Sequence, residues 1–383
     1  MNLERVPEYI RSLIPYVPGK PIEETQRELG IKRVIKLASN ENPLGPSPRG
    51  MKAARKEAAN LNRYPDGSGH ALKQALSKKL GITPAQIVLG NGSEEIMDFL
   101  CRALCRPGDA IVTSQAAFIA YKISAQIQGM RTLEAPLLPD FRFDLPAMAK
   151  LVRDNANARI VFIANPNNPT GTYVTEKELR AFLREVRKIP VVLDSAYLEY
   201  VTAKDFPDPM KLMDEFPNVL VMRTFSKIYG LAGLRSGYGV AAPELISVLE
   251  KARKPFNVNS MAMAAATAAL EDSAFVQKAR RANAQGMKFW ERELKKLGIP
   301  FWPSQGNFIL TDTARGLGRP GGEVYQECLR LGVIFRPVAN YGLMHALRIS
   351  IGTPEENRIA AKALAKVAKQ SGGSEAGGTA EKR

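Results

Sequence analysis

The sequence predicts an α/β architecture, a mostly parallel sheet covered on both faces, followed by a smaller α+β domain. Three observations carry this. Short β-branched apolar runs such as Arg159-Ile160-Val161-Phe162-Ile163-Ala164 and Pro190-Val191-Val192-Leu193-Asp194 alternate with amphipathic helical stretches. Turn formers and polar residues gather directly after those runs, where ligands collect in open parallel sheets. Beyond Val240 the alternation gives way to longer helices with a few short strands.

In chain order, Met1 to Ser39 reads as an irregular arm with one short helix, because the prolines of Tyr16-Val17-Pro18-Gly19-Lys20-Pro21 remove backbone donors. Glu23 to Leu29 makes a helical turn or two, stopped by Gly30, and Val34 to Leu37 is a short strand. Ser39-Asn40-Glu41-Asn42-Pro43-Leu44-Gly45-Pro46 is a loop of turn formers, able either to present amides to a ligand or to lie plainly on the surface. Helices are expected over Pro48 to Asn60 and Gly69 to Leu80. The strand Ile87-Val88-Leu89 then passes through Gly90-Asn91-Gly92-Ser93-Glu94-Glu95 into a helix reaching Leu104. A strand, a glycine turn and a helix N-terminus form an anion cradle, since first-turn amides are unpaired. Ser93 can cap that helix, touch the anion, or do both. The turn matches neither the dinucleotide nor the Walker fingerprint, so neither NAD nor ATP is inferred.

Strands Ala110 to Thr113, Arg131 to Ala135, Arg159 to Ala164, Pro190 to Asp194 and Val219 to Arg223 follow, with helices Phe118 to Gln128 and Leu145 to Val152 between them. Thr175 caps a further helix to Val186, with Glu178 completing a capping box. The second part holds helices Glu244 to Lys251, Ser260 to Leu270, Ser273 to Leu297, Gly322 to Arg330 and Glu355 to Lys369. Its strands are expected near Phe308-Ile309-Leu310, at Val333-Ile334-Phe335 and at Leu347-Arg348-Ile349-Ser350. The expected division is an arm over 1–40, a large domain over 41–270, a small domain over 271–370, and a glycine-rich polar tail over 371–383 that is disordered.

A chain of 383 residues, 45% of them hydrophobic, can bury a large core and supports two domains. Met1 to Lys20 is broken by charges and prolines, and no run of 18 apolar residues exists, so a soluble, cytoplasmic protein without membrane contact is expected. Cys101, Cys105 and Cys328 make neither a disulfide framework nor a metal site, which points to a reducing compartment. His70 and His345 are the only histidines, too few for a histidine-rich metal centre. The formal charge of +16 invites a nucleic-acid reading. The bases are interspersed with acids, however, and no basic–aromatic interleaving resembles a single-strand platform. Anionic small substrates fit the charge better than a non-catalytic nucleic-acid-binding protein.

Reactivity concentrates in Thr224-Phe225-Ser226-Lys227-Ile228-Tyr229-Gly230-Leu231-Ala232-Gly233-Leu234-Arg235. A lysine held near cations or in an apolar pocket can lose its proton and form a Schiff base with an aldehyde. Arg235 can clamp a phosphate while Thr224 and Ser226 donate hydroxyl hydrogen bonds to it. Read alone, the stretch also fits a solvated lysine after a strand.

Taken together, Asn165-Pro166-Asn167-Asn168-Pro169-Thr170-Gly171, Asp194-Ser195-Ala196-Tyr197 and Thr224-Phe225-Ser226-Lys227 with Arg235 resemble the fold-type I pyridoxal-phosphate aminotransferases, and the histidinol-phosphate aminotransferases most closely. The resemblance spans residues 10 to 370 and implies a seven-stranded sheet in a three-layer sandwich. It implies that Lys227 forms the Schiff base and moves the proton, that Asp194 pairs with the pyridine nitrogen, and that Tyr197 and Asn168 donate to the ring oxygen. Phe118 would stack on the ring. Gly92, Ser93 and Glu94, with Thr224, Ser226 and Arg235, would hold the cofactor phosphate, and Tyr64 would reach the phosphate bound by the neighbouring subunit of an obligate homodimer with shared active sites. Arg348 would take the substrate carboxylate, helped by Asn42 and the backbone near Ala38, and Arg336, Arg348 and Tyr16 would take a substrate phosphate.

Ser195, Ser236 and the stretch Ser114-Gln115-Ala116-Ala117 depart from the family's pattern and bear on substrate range and turnover rather than reaction class. The implied reaction is a ping-pong transamination between L-glutamate and imidazole-acetol phosphate, giving 2-oxoglutarate and L-histidinol phosphate, or its reverse. The same machinery would serve an aromatic amino-acid aminotransferase or a threonine-phosphate decarboxylase.

Overall fold

The computed structural model describes residues 3–16 and 18–372. The expected disorder of the tail concerns 371–383, and 373–383 lie outside the described residues. The short strand near the arm is β1 (Ile35–Lys36). The first sheet is made of β2 (Ile87–Asn91), β3 (Ala110–Ser114), β4 (Arg131–Ala135), β5 (Ala158–Ala164), β6 (Val191–Asp194), β7 (Val219–Thr224) and β8 (Ser236–Val240). Its order is β2-β8-β7-β6-β5-β3-β4. Every pairing from β4 to β7 is parallel, while β8 runs antiparallel to both β7 and β2. Successive strand residues point to opposite faces. All four residues of β6 and all five of β3 are buried, so both faces of the sheet centre are covered.

Strand β8 was not expected from the sequence, because Ser236-Gly237-Tyr238-Gly239-Val240 carries two glycines and little periodicity. Packing explains them. A Cβ on Gly237 would lie 2.4 Å from the Ser93 amide nitrogen, so only glycine lets β8 pass beneath the start of the helix Glu94–Leu104. The helix Pro209–Glu215 was also unanticipated; Asp208 caps it and Pro209 takes its first position. The short helices Glu8–Arg11 and Thr313–Leu317 and the two-residue strands Phe301–Trp302 and Arg336–Pro337 were likewise not expected, being too short to show a period, while Thr175 and Glu178 form the expected capping box at the start of Glu176–Glu185.

The remaining strands are β9 (Phe301–Trp302), β10 (Phe308–Asp312), β11 (Val333–Ile334), β12 (Arg336–Pro337) and β13 (Ala346–Ser350). An antiparallel sheet runs β12-β13-β10-β9, and β1 pairs in parallel with β11. This second sheet has its own core, where Trp290, Ile309, Leu347, Ile349 and Leu364 are fully or almost fully buried. The Trp290 indole N–H donates to Asn357 Oδ1 at 2.9 Å, which satisfies the polar atom that burial would otherwise strand. Ile35 and Leu37 belong to this core, and Val34 and Ala38 pack on Ile334 and Leu329 beside it, so the end of the arm joins the second sheet. No described helix is long and apolar enough to cross a membrane.

Candidate active site

A cavity of about 200 Å³ opens where the carboxyl ends of β5, β6 and β7 face β13 of the second sheet. Its lining includes Lys227, Asp194, Tyr197, Asn168, Arg348, Arg336, Phe118, Thr224, Ser226, Arg235, Ser93, Glu94 and Tyr16. Parallel strands deliver these groups together because their carboxyl ends all point one way.

Lys227 stands three residues past the end of β7, and its Nζ donates to the Ser39 carbonyl at 3.2 Å. Burial and the neighbouring Arg348 guanidinium, and more distantly Arg235, bring its pKa down from the usual lysine value to about 8, against the pull of Glu41 and Asp194. About a tenth of this amine is therefore neutral at pH 7, far more than for an ordinary lysine. Asp194 ends β6 and is 6% exposed. Its Oδ2 accepts from the Tyr121 hydroxyl at 2.7 Å and its Oδ1 from the Ala196 amide at 3.2 Å. Burial dominates and raises its pKa to about 6, while those two hydrogen bonds hold it back. Tyr121 is itself braced by stacking on Phe162 of β5 at 4.8 Å between ring centroids.

Tyr197 is buried against the edge of Phe308, and its hydroxyl oxygen accepts from Asn40 Nδ2 at 3.0 Å. Burial pushes its pKa up to about 12, so the phenol stays protonated. Phe118 lies edge-on to Tyr121 at the cavity wall. Arg348 Nη1 donates to Asn168 Oδ1 and its Nη2 to the Ala38 carbonyl, while its buried Nε has no hydrogen-bond partner. Burial lowers the pKa of this arginine, with Arg336 adding to the effect. Arg336 and Arg348 are directly opposed on β12 and β13, and the Arg336 guanidinium lies 5.7 Å from the Tyr16 ring centroid.

At the other end of the cavity, Ser93 makes no capping bond to the helix Glu94–Leu104, so its hydroxyl is not committed to that role. Arg235 adopts a left-handed backbone (φ 55°), and its Nη2 lies 3.9 Å from Glu94 Oε2. Gly92 borders this guanidinium: a Cβ there would come within 2.6 Å of Arg235 Nη2. The Thr224 hydroxyl accepts from the Ser226 amide at 3.0 Å, which folds the two hydroxyls into one turn.

Two sequence candidates sit elsewhere. Asn42 does not line the cavity. Its Nδ2 donates to the Ile228 carbonyl at 2.8 Å and its Oδ1 accepts from the Leu44 amide at 3.0 Å, so its amide holds the lysine loop in place instead of facing a substrate. Tyr64 also lies outside, 84% exposed and stacked on Phe256 at 4.9 Å. Sequence reasoning missed Tyr121, Asn40, Ser39 and Tyr341, which touch or line the site. For Tyr121 the only available signal was its position three residues after Phe118, on the helix Ala120–Ile127.

The profile of the family described as aminotransferase class I and II matches residues 32–364. A histidinol-phosphate aminotransferase from Anaeromyxobacter is 48% identical over 94% of this chain and 98% of its own length. One from Bdellovibrio bacteriovorus is 46% identical over 94% and 97%. Among solved structures, the histidinol-phosphate aminotransferase of Sinorhizobium meliloti in complex with pyridoxal-5'-phosphate superposes with a TM-score of 0.85 at 31% identity, covering 96% of this chain and 98% of that one. The chain belongs to the class I and II aminotransferase family, alongside relatives that are histidinol-phosphate aminotransferases.

Proposed function

We propose that this protein is a pyridoxal-phosphate-dependent aminotransferase that interconverts L-histidinol phosphate and 2-oxoglutarate with imidazole-acetol phosphate and L-glutamate, a step of histidine biosynthesis. The observation that carries this reading is the single cavity shared by a depressed-pKa lysine, a buried carboxylate and two opposed arginines. The residues suit each chemical group of the cofactor. The space kept open by Gly92, beside Arg235, the uncommitted Ser93 hydroxyl, the Glu94 amide and the Thr224 and Ser226 hydroxyls, suits a phosphate at a helix N-terminus. The buried Asp194 carboxylate suits a protonated pyridine nitrogen, and the Lys227 amine suits an aldehyde. Once bound, the cofactor supplies that aldehyde and a ring that withdraws electrons from the substrate Cα.

Lys227 would then serve as nucleophile toward that aldehyde and, with its amine free, as the base that takes a proton from the substrate Cα. Tyr197 and Asn168 would hydrogen-bond the ring oxygen, and Phe118 would cover a ring face. Arg348 takes the α-carboxylate of glutamate or 2-oxoglutarate through its planar fork, and Arg336 with Tyr16 takes the second anionic group of either substrate. Like charges directly opposed across two strands repel. The Arg336–Arg348 pair therefore favours substrates that bring a strong anion, which a phosphate monoester or a dicarboxylate does. Two copies are proposed to assemble as a homodimer, the exposed Tyr64 of each reaching the phosphate held by the other. A reducing, cytoplasmic setting accords with the free thiols Cys101, Cys105 and Cys328.

The test is an absorbance spectrum of the protein loaded with pyridoxal phosphate, before and after L-glutamate and, separately, L-histidinol phosphate. The bound-cofactor band should disappear with each donor and return with 2-oxoglutarate. A protein that shows no band with the cofactor, or the same band after Lys227→Ala, rules out the catalytic reading. A band that ignores histidinol phosphate but answers aromatic amino acids reassigns the substrate.

A further inference from the structure

Asn40 is a buried residue in the left-handed region (φ 54°), outside the residues given a role above, and it bridges the two sheets. Its hydrogen bonds have a direction that can be followed from one end. The Asn40 backbone N–H can only donate, and it donates to Ser350 Oγ at 2.9 Å. Ser350 accepts there, and its own proton goes to Asn40 Oδ1 at 2.8 Å. With Oδ1 engaged, the Asn40 Nδ2 faces Tyr197 and donates to its hydroxyl oxygen at 3.0 Å. The phenol proton of Tyr197 is then directed away from Asn40, into the cavity. Asn307 holds the backbone beneath, donating from Nδ2 to the Asn40 carbonyl at 3.0 Å. Ser350 lies two residues from Arg348 on β13, so the hydroxyl that locks the Asn40 amide comes from the strand that carries the substrate-facing arginine.

We propose that Asn40, locked by Ser350, is a positioning residue that aims the Tyr197 hydroxyl proton at the ring oxygen of the bound cofactor. The proposal rests on the aminotransferase reading above and deepens it. A hydrogen bond donated to an anionic oxygen stabilises the anion, so this geometry holds the lysine–cofactor pair in its deprotonated form to lower pH. Reversing the amide would leave Tyr197 donating to residue 40 and presenting a lone pair to that oxygen. Arg348, Asp194 and Tyr341 also act on Tyr197, and the substitutions below leave all of them in place.

The experiment is a pH titration of the bound-cofactor absorbance band in the wild type, Asn40→Asp, Ser350→Ala, Tyr197→Phe and the double variant Asn40→Asp with Tyr197→Phe. Asparagine and aspartate both tolerate the left-handed backbone. Asn40→Asp should raise the midpoint by about one pH unit, a tenfold change in proton affinity. Tyr197→Phe should raise it by a similar amount, and the double variant should show no further rise. Ser350→Ala, the milder change, should move it in the same direction by less. If Asn40→Asp proves too unstable to load, Ser350→Ala alone decides the matter. In the cofactor-free protein, Ser350→Ala should lower the melting temperature more in the wild-type background than in Asn40→Gly, where only the bond from the residue-40 backbone N–H to Ser350 Oγ is left to lose. Midpoints unchanged in loaded variants, additive shifts in the double variant, or equal melting-temperature losses in both backgrounds would overturn the proposal. Absence of any band in the wild type would instead refute the aminotransferase reading, and this role with it.

Discussion

Arg223 and Lys227 stand four residues apart, on β7 and just beyond it, and the protein treats the two cations in opposite ways. Arg223 donates to Glu199 at 2.7 Å, with both side chains largely covered. Burial works against its charge, yet Glu199 and the nearby Tyr238 and Tyr229 outweigh that and hold its pKa above the ordinary arginine value. Lys227 has no carboxylate hydrogen bond. Its amine meets a carbonyl and, at longer range, two guanidiniums, and its pKa falls to about 8. The cation built into the architecture is given a carboxylate, and the cation proposed for chemistry is left ready to lose its proton. Arg348 shares the second treatment: it is buried and bonded only to neutral oxygens.

The sharpest break in this contrast is Lys227→Ala. It removes the proposed nucleophile and proton carrier together, so turnover should fall by about 10³-fold or more while stability to denaturant barely changes. Turnover that stays within about tenfold of wild type would place the chemistry on another residue.

Exchanging the two kinds of arginine environment comes next. Glu199→Gln leaves Arg223 charged and buried without its carboxylate, and urea unfolding should show a loss of about 3–5 kcal/mol. Arg348→Ala removes a charge that no carboxylate neutralises, so stability should change by less than about 1 kcal/mol, while the KM for glutamate rises by roughly 10²-fold. Equal stability losses in the two variants would erase the distinction between architectural and ligand-facing cations.

The smallest effect is in pH. Neutral amine is the species that attacks an aldehyde, so capture of pyridoxal phosphate by cofactor-free protein should rise about tenfold per pH unit and level off near pH 8, where Lys227 titrates. An unshifted lysine would keep the rate climbing past pH 10. Arg348→Ala should move the plateau to higher pH, because the Arg348 charge is the second-largest cause of the depression after burial.

How much of this was legible in the chain follows from where each group sits. Asp194, Asn168 and Lys227 could be read because each follows a short β-branched run, and in a parallel sheet all such runs end on one side. Ser93 could be read from the glycine turn between its strand and helix, and Arg235 from its place eight residues beyond Lys227. Tyr121 could not, because it lies on the helix Ala120–Ile127 and becomes a partner of Asp194 only when that helix packs over β5 and β6. Strand β8 was hidden because Gly237 and Gly239 are there for close packing, which leaves no periodicity to read.

The loop from Ser39 to Pro46 shows where the boundary falls. By itself the sequence determined that these residues form a loop of turn formers, since prolines and asparagines restrict the backbone locally, and it left open whether the amides face a ligand or the surface. Tertiary structure alone decided which amide does what. Asn42 turns back to Ile228 and Leu44, while Asn40 spans from Ser350 to Tyr197, residues 310 and 157 positions away. Backbone preference acts over a few neighbouring residues and can be read from them. The direction of a buried hydrogen bond is set by whichever donor folding brings opposite, and the two sheets supply that donor only once they have closed on each other.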